Sequence, residues 1–96
     1  MRFVDEPTVV DARFEADGQV RPRRFTWDRR WLNVTDVGRQ WVDLEGRHVL
    51  VMAHAARQQG DDAGPVTTGR YTFELLLERE NLVWRVVRLF DDVITA

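Results

Sequence analysis

The sequence predicts a mainly β domain, a small antiparallel barrel or strongly bent sheet of the SH3-like kind with about six strands. Three observations carry this expectation. Apolar and polar residues alternate with a period of two in several segments, short turn-forming pairs separate those segments, and no stretch of ten or more residues shows a helical apolar stripe. The chain has 96 residues, 44% of them hydrophobic, with four Trp, five Phe and one Tyr. That is enough to bury one core but not two, so residues 1–96 read as a single domain.

Taken in order, Thr8 to Ala16 sets Val10, Ala12 and Phe14 on one face against Val9, Asp11, Arg13 and Glu15 on the other, a strand with one buried face. Asp17 and Gly18 turn the chain. Phe25, Trp27 and Trp31 then surround Asp28, Arg29 and Arg30, which reads as a second hairpin with Leu32 and Val34 on its return strand. Its register has two solutions. A two-residue turn pairs Trp27 with Arg30 and puts Trp31 on the opposite face, whereas a three-residue turn places Trp27 and Trp31 together. Trp41, Val42 and Leu44 continue the strand after a bulge at Gly38. Glu45 and Gly46 turn into Arg47 to Ala53, whose β-branched and aliphatic residues suit a buried strand. Residues 55–69, rich in Gln, Asp and Gly, read as a flexible acidic loop, with a functional flap as the alternative.

At the C-terminal end Tyr71, Phe73, Leu75 and Leu77 alternate with Thr72, Glu74 and Glu78, a clear strand. With Glu80 and Asn81 as a two-residue turn, Leu77 falls opposite Trp84, Leu75 opposite Val86, Phe73 opposite Arg88 and Tyr71 opposite Phe90. In that register Arg88 interrupts an apolar face, and stacking at the barrel mouth or snorkelling to solvent is its expected role.

Composition removes much chemistry. There is no Cys, which excludes disulfides, thiolate metal sites and cysteine nucleophiles; Ser and Lys are absent as well, which excludes serine triads, Schiff bases and the phosphate-loop lysine. All 14 basic residues are Arg, a bias expected of a GC-rich genome. The longest apolar run, Val49 to Ala53, is far short of a membrane helix. With acids where a signal peptide has its apolar core, a cytoplasmic protein with no membrane partner is expected. His48 and His54, roughly 20 Å apart along a strand, are expected to face solvent rather than share an ion. The acid pairs Asp5–Glu6 and Asp91–Asp92 are expected to be solvated at strand ends. No catalytic residue, metal or cofactor is therefore assigned.

The overall charge of −2 is unevenly spread: residues 1–20 sum to −3 and residues 21–40 to +4. The basic excess lies in RPRRFTWDRRW, where Arg21, Arg23, Arg24, Arg29 and Arg30 interleave with Phe25, Trp27 and Trp31. Arginines that follow phosphates beside aromatics that stack on bases are the ingredients of single-strand-binding surfaces. The same residues also suit a small core, with Phe25 and Trp27 filling it and the arginines pairing with the acidic segments around its rim. These five arginines with Trp27 and Trp31 form the candidate binding surface.

The opening Phe3 with Glu6 and Pro7, the Pro22-Arg23-Arg24-Phe25 run followed by Trp27, Trp41, Tyr71 with Glu74 and Leu75, Trp84-Arg85 and the terminal Phe90-Asp91 together resemble a bacterial domain-of-unknown-function family. Its members are short stand-alone proteins or the C-terminal tail of a polymerase-like protein of the translesion mutagenesis machinery. The chain departs from the family pattern in lacking a glycine in the Asp28 to Arg30 turn and in its 55–69 segment. The resemblance implies a non-enzymatic accessory module working near DNA-repair proteins. The function expected is thus interaction, with single-stranded nucleic acid or a protein partner. A structural subunit self-associating through strand edges, and a small enzyme using His and acidic residues, are the alternatives.

Overall fold

The computed structural model describes residues 2–55 and 70–90. Their chain forms seven strands: β1 (Arg2–Pro7), β2 (Val10–Phe14), β3 (Val20–Trp27), β4 (Arg30–Val42), β5 (Gly46–Ala55), β6 (Tyr71–Glu78) and β7 (Trp84–Phe90). All are antiparallel in one sheet of order β1-β7-β6-β5-β4-β3-β2. The fold class is the expected one, an all-β, strongly bent sheet; β1 is a strand the periodicity did not reveal. Its residues, Arg-Phe-Val-Asp-Glu-Pro, do not alternate in polarity, and its register against β7 shifts between Phe3 and Glu6, where Asp5 takes a φ of 53°.

The bend follows from chain connectivity. β1 and β2 occupy opposite edges of the sheet yet are joined by Thr8 and Val9 alone. Laid flat, seven strands span roughly 29 Å, whereas the three Cα steps from Pro7 to Val10 reach about 11 Å. The edges must therefore curl toward each other. The joining residues stitch them together: the Thr8 amide donates to the Trp84 carbonyl of β7 (3.0 Å), and the Thr26 amide of β3 donates to the Val9 carbonyl (3.0 Å). The sheet is nevertheless not closed, since β1 and β2 share no ladder.

One face of the curl holds the core of Phe25, Leu32, Val49, Val51, Ala53, Phe73, Leu75, Val86 and Leu89, against which Val4, Val10, Trp27, Val34, Val37 and Trp84 pack. Burying each large side chain of this set contributes about 1.5–3 kcal/mol. Phe73 is the hub, with Phe25 edge-on at 5.0 Å and Trp27 at 5.6 Å. Phe14, expected to face inward, is 63% exposed, because it ends an edge strand beyond the curl.

Four further register shifts, on β3, β4 and β7, set which side chains share a face. On β3 Arg23 is the extra residue opposite β2. On β4 the register against β5 shifts between Val34 and Asp36 and again between Val37 and Gln40, the second at the expected Gly38. On β7 Val87 is the extra residue, and it corrects the expected pairing. Leu77 does face Trp84 and Leu75 faces Val86, but beyond the bulge Thr72 pairs with Phe90, Phe73 with Leu89, and Arg88 with Glu74. Arg88 therefore leaves the core face and meets a carboxylate instead of Phe73. The β6–β7 connection differs too. Residues 79–82 form a four-residue loop with Leu82 at φ 58°, and the Leu82 amide donates to the Glu78 carbonyl. This loop shares its midpoint with the expected Glu80–Asn81 turn, which is why the register beside it agrees.

Candidate functional site

The β3–β4 hairpin adopts the two-residue solution: Trp27 pairs with Arg30, and both Asp28 (φ 51°) and Arg29 (φ 63°) are left-handed. Two successive positive φ values define the type I′ turn, whose twist matches that of the flanking strands. The choice of register separates the two indoles. Trp27 lies on the core face, half-buried against Phe73, with the Arg2 guanidinium 5.9 Å from its ring centre. Trp31 lies on the outer face opposite Thr26, with the Arg24 guanidinium 4.3 Å above it.

The five arginines are likewise divided. Arg24 also reaches Asp11 (Nε to Oδ2, 3.3 Å), and Arg21 reaches Glu15 (3.4 Å), so these two draw on the acidic N-terminal segment. Arg23 stands out on its bulge, Arg29 at the turn, and Arg30 beside it; all three are exposed and make no ion pair among the described residues. The structure thus joins Arg24 and Trp31 in one stack, sets Arg21 beside them on the same face, and places Trp27 elsewhere.

A second constellation escaped the sequence reading. On the outer face of β5 and β6, His48 and Glu74 are both buried, at 4% and 1% exposure. His48 was expected to face solvent. Instead its Nδ1–H donates to Glu74 Oε2 at 2.7 Å, its Nε2 lies 2.9 Å from Asp43 Oδ2, and the Trp41 ring stacks flat on it at 4.9 Å. Glu74 Oε1 in turn lies 2.9 Å from Arg88 Nε, and the Arg88 guanidinium sits 5.3 Å from the Phe3 ring centre. The side chains of Asp43, His48, Glu74 and Arg88 therefore run as a row across β4's end, β5, β6 and β7. The buried carboxylate is tolerated because both of its oxygens meet positive or donating groups.

This row floors a groove of about 900 Å³ bordered by Phe3, Trp41, Leu44, Glu78 and Arg85. Asp43 belongs to the tight β4–β5 turn, where its Oδ1 accepts from the amides of Glu45 and Gly46. Its carboxyl titrates below the ordinary aspartate range. Desolvation pushes it up, and this is outweighed by the His48 side chain, the two turn amides and the His48 charge. At the rim Arg85 is held above its ordinary value by its hydrogen bond to Asp5, against desolvation and with help from the charges of Asp5 and Glu78.

His54 lies on the same outer face as His48, six positions along β5 and opposite Asn33, so the two histidines do not converge. Asp5 and Glu6 are exposed, as expected. Asp91, Asp92 and the 56–69 part of the expected loop lie outside the described residues. His48–Glu74 escaped notice because β5 and β6 are joined by the long 56–70 connection, which leaves their register unspecified in the sequence. Only the observed pairing of His48 with Leu76 puts Glu74 on the diagonal beside the ring. No family model, no curated protein and no solved structure matches the chain.

Proposed function

We propose that the protein is a non-enzymatic binding module whose β3–β4 hairpin engages single-stranded nucleic acid. The observation that carries this reading is the Arg24–Trp31 stack on the outer face, in a hairpin that carries three further exposed arginines without carboxylate partners among the described residues. A guanidinium packed over an indole can stack on a base, and the exposed Arg23, Arg29 and Arg30 of the same hairpin can neutralise neighbouring phosphates. Arg29 sits in the left-handed turn and Arg23 at the β3 bulge, and both are exposed. Trp27, committed to the core, serves folding in this reading, and Trp31 is the indole at the interface. The resemblance to a domain carried by a translesion polymerase-like protein agrees with a partner of this chemistry.

The test is fluorescence anisotropy of labelled single- and double-stranded oligonucleotides at low and moderate salt, with an Arg23→Ala, Arg24→Ala, Arg30→Ala triple variant alongside. Single-strand affinity is expected to fall linearly with log salt, and the triple variant should reduce the slope by about 1.4, near 0.7 for each of the two phosphates that Arg23 and Arg30 no longer neutralise, while loss of the Arg24 stack weakens binding at every salt concentration. A variant that binds as the parent does overturns the assignment to the hairpin. A parent that binds neither strand form at low salt overturns nucleic acid as the ligand and directs the search to a protein partner.

A further inference from the structure

We propose that the β4–β5 turn and the start of β5 form a binding site for a divalent transition-metal ion of the Zn²⁺ class, with His48 Nε2 and the carboxylates of Asp43 and Glu45 as its ligands. The site is at the opposite end of β4 from the hairpin tip and is independent of the nucleic-acid reading.

Two observations support it. The first is convergence: one donor atom from each of Asp43, Glu45 and His48 lies within 4.8 Å of the other two. The turn produces this arrangement, since the Asp43 amide donates to the Gly46 carbonyl at 2.9 Å and so brings the chain back on itself. Zn²⁺ bonds of about 2.1 Å put ligand atoms roughly 3.4 Å apart, and a rotamer adjustment of the exposed Asp43 and Glu45 side chains closes that difference. The second concerns the imidazole. His48 is almost fully buried, and its enclosed Nε2 makes no directed hydrogen bond although Asp43 Oδ2 is 2.9 Å away.

The other ring nitrogen is committed. Nδ1–H donates to Glu74, which Arg88 holds from the far side. A carboxylate behind one imidazole nitrogen, leaving the other directed at further oxygen ligands, is the arrangement that fixes a metal-binding histidine. Glu74 is accordingly a positioning residue and His48 a ligand. One imidazole nitrogen with two carboxylates selects the Zn²⁺ and Mn²⁺ kind of ion over Ca²⁺ or Mg²⁺, which take oxygen sets. Solvent reaches the carboxylate side, so water fills the remaining coordination positions.

Trp41, flat against the His48 ring, supplies a built-in reporter. Chelator-treated protein would be titrated with Zn²⁺ by calorimetry and with Co²⁺ by visible absorption and tryptophan fluorescence. The expected result is one ion per chain, ligand-field bands from bound Co²⁺, and fluorescence quenching that a Trp41→Phe variant loses. Glu45→Gln should weaken binding at least tenfold, Glu74→Gln by about 10- to 100-fold, and His54→Gln not at all. Glu45 is exposed, so its variant keeps the test informative even where substitutions at His48 or Glu74 disturb folding, and thermal unfolding of each metal-free variant checks that point. Absence of saturable Zn²⁺ and Co²⁺ binding overturns the site, and means that Nε2 is adequately served by Asp43. Binding that survives Glu45→Gln together with Asp43→Asn, or that depends on His54, overturns it equally.

Discussion

Two backbone positions show how much a single residue decides. Gly46 opens β5 at φ 148°, and a Cβ there would fall 2.1 Å from the Leu77 carbonyl oxygen and 2.9 Å from the Arg79 amide. Both are backbone atoms of the β6 end and cannot rotate aside. Gly46→Ala is therefore expected to destabilise the protein by about 3 kcal/mol or more, read as a lower urea midpoint at unchanged slope. Arg29 is the reverse case. It holds φ 63° in the hairpin turn without glycine's freedom. Arg29→Gly is expected to stabilise folding by about 0.5–1 kcal/mol, while lowering the salt slope of single-strand binding by about 0.7. An arginine that costs stability and contributes to binding would move both readouts in those opposite directions; a merely structural one would move the first alone.

At the level of elements, the sheet depends on a seam that is not a ladder. Thr8 belongs to neither edge strand, yet its hydroxyl donates to the Thr26 carbonyl at 2.7 Å and accepts from the Thr26 amide at 3.2 Å, while the Thr26 hydroxyl accepts from the Val9 amide. These bonds hold β1 and β2 at the distance that the two-residue connection requires. Thr8→Val keeps the shape and removes the hydroxyl, so it is expected to cost about 1–2 kcal/mol. Because the loss falls on the seam, hydrogen exchange of the β1 and β2 amides should accelerate more than that of β5 and β6. The β7 bulge is the second decision at this scale. By inserting Val87 it turns Val86 and Leu89, three residues apart, to the same core face and moves Arg88 out to Glu74. A strand of strict period two could not do both.

Across the whole molecule, the two proposed sites lie at opposite ends of β4 and use charge of opposite sign, arginines at the hairpin and carboxylates at the β4–β5 turn. They should therefore fail separately: the triple arginine variant is expected to retain Zn²⁺ binding in calorimetry, and Glu45→Gln to retain single-strand binding in anisotropy. The all-β class, the strand positions from β2 through β7, the Asp17–Gly18 turn and the Gly38 bulge were legible in the sequence, whereas the expected Glu45–Gly46 turn lies one residue earlier, at Leu44–Glu45, with Gly46 already opening β5. The legible features follow from local alternation and turn chemistry, which short stretches of chain express without help. Tertiary structure alone decided the rest. The hairpin register, two-residue rather than three, placed Trp27 inside and Trp31 outside, because both registers satisfy the local pattern and only packing on Phe73 distinguishes them. The strand character of β1 came from its place on β7 and not from any alternation of its own. The His48–Glu74 pair arose because residues 26 apart meet only when β5 and β6 pair in one register, and a long connection carries no local information about which register that is.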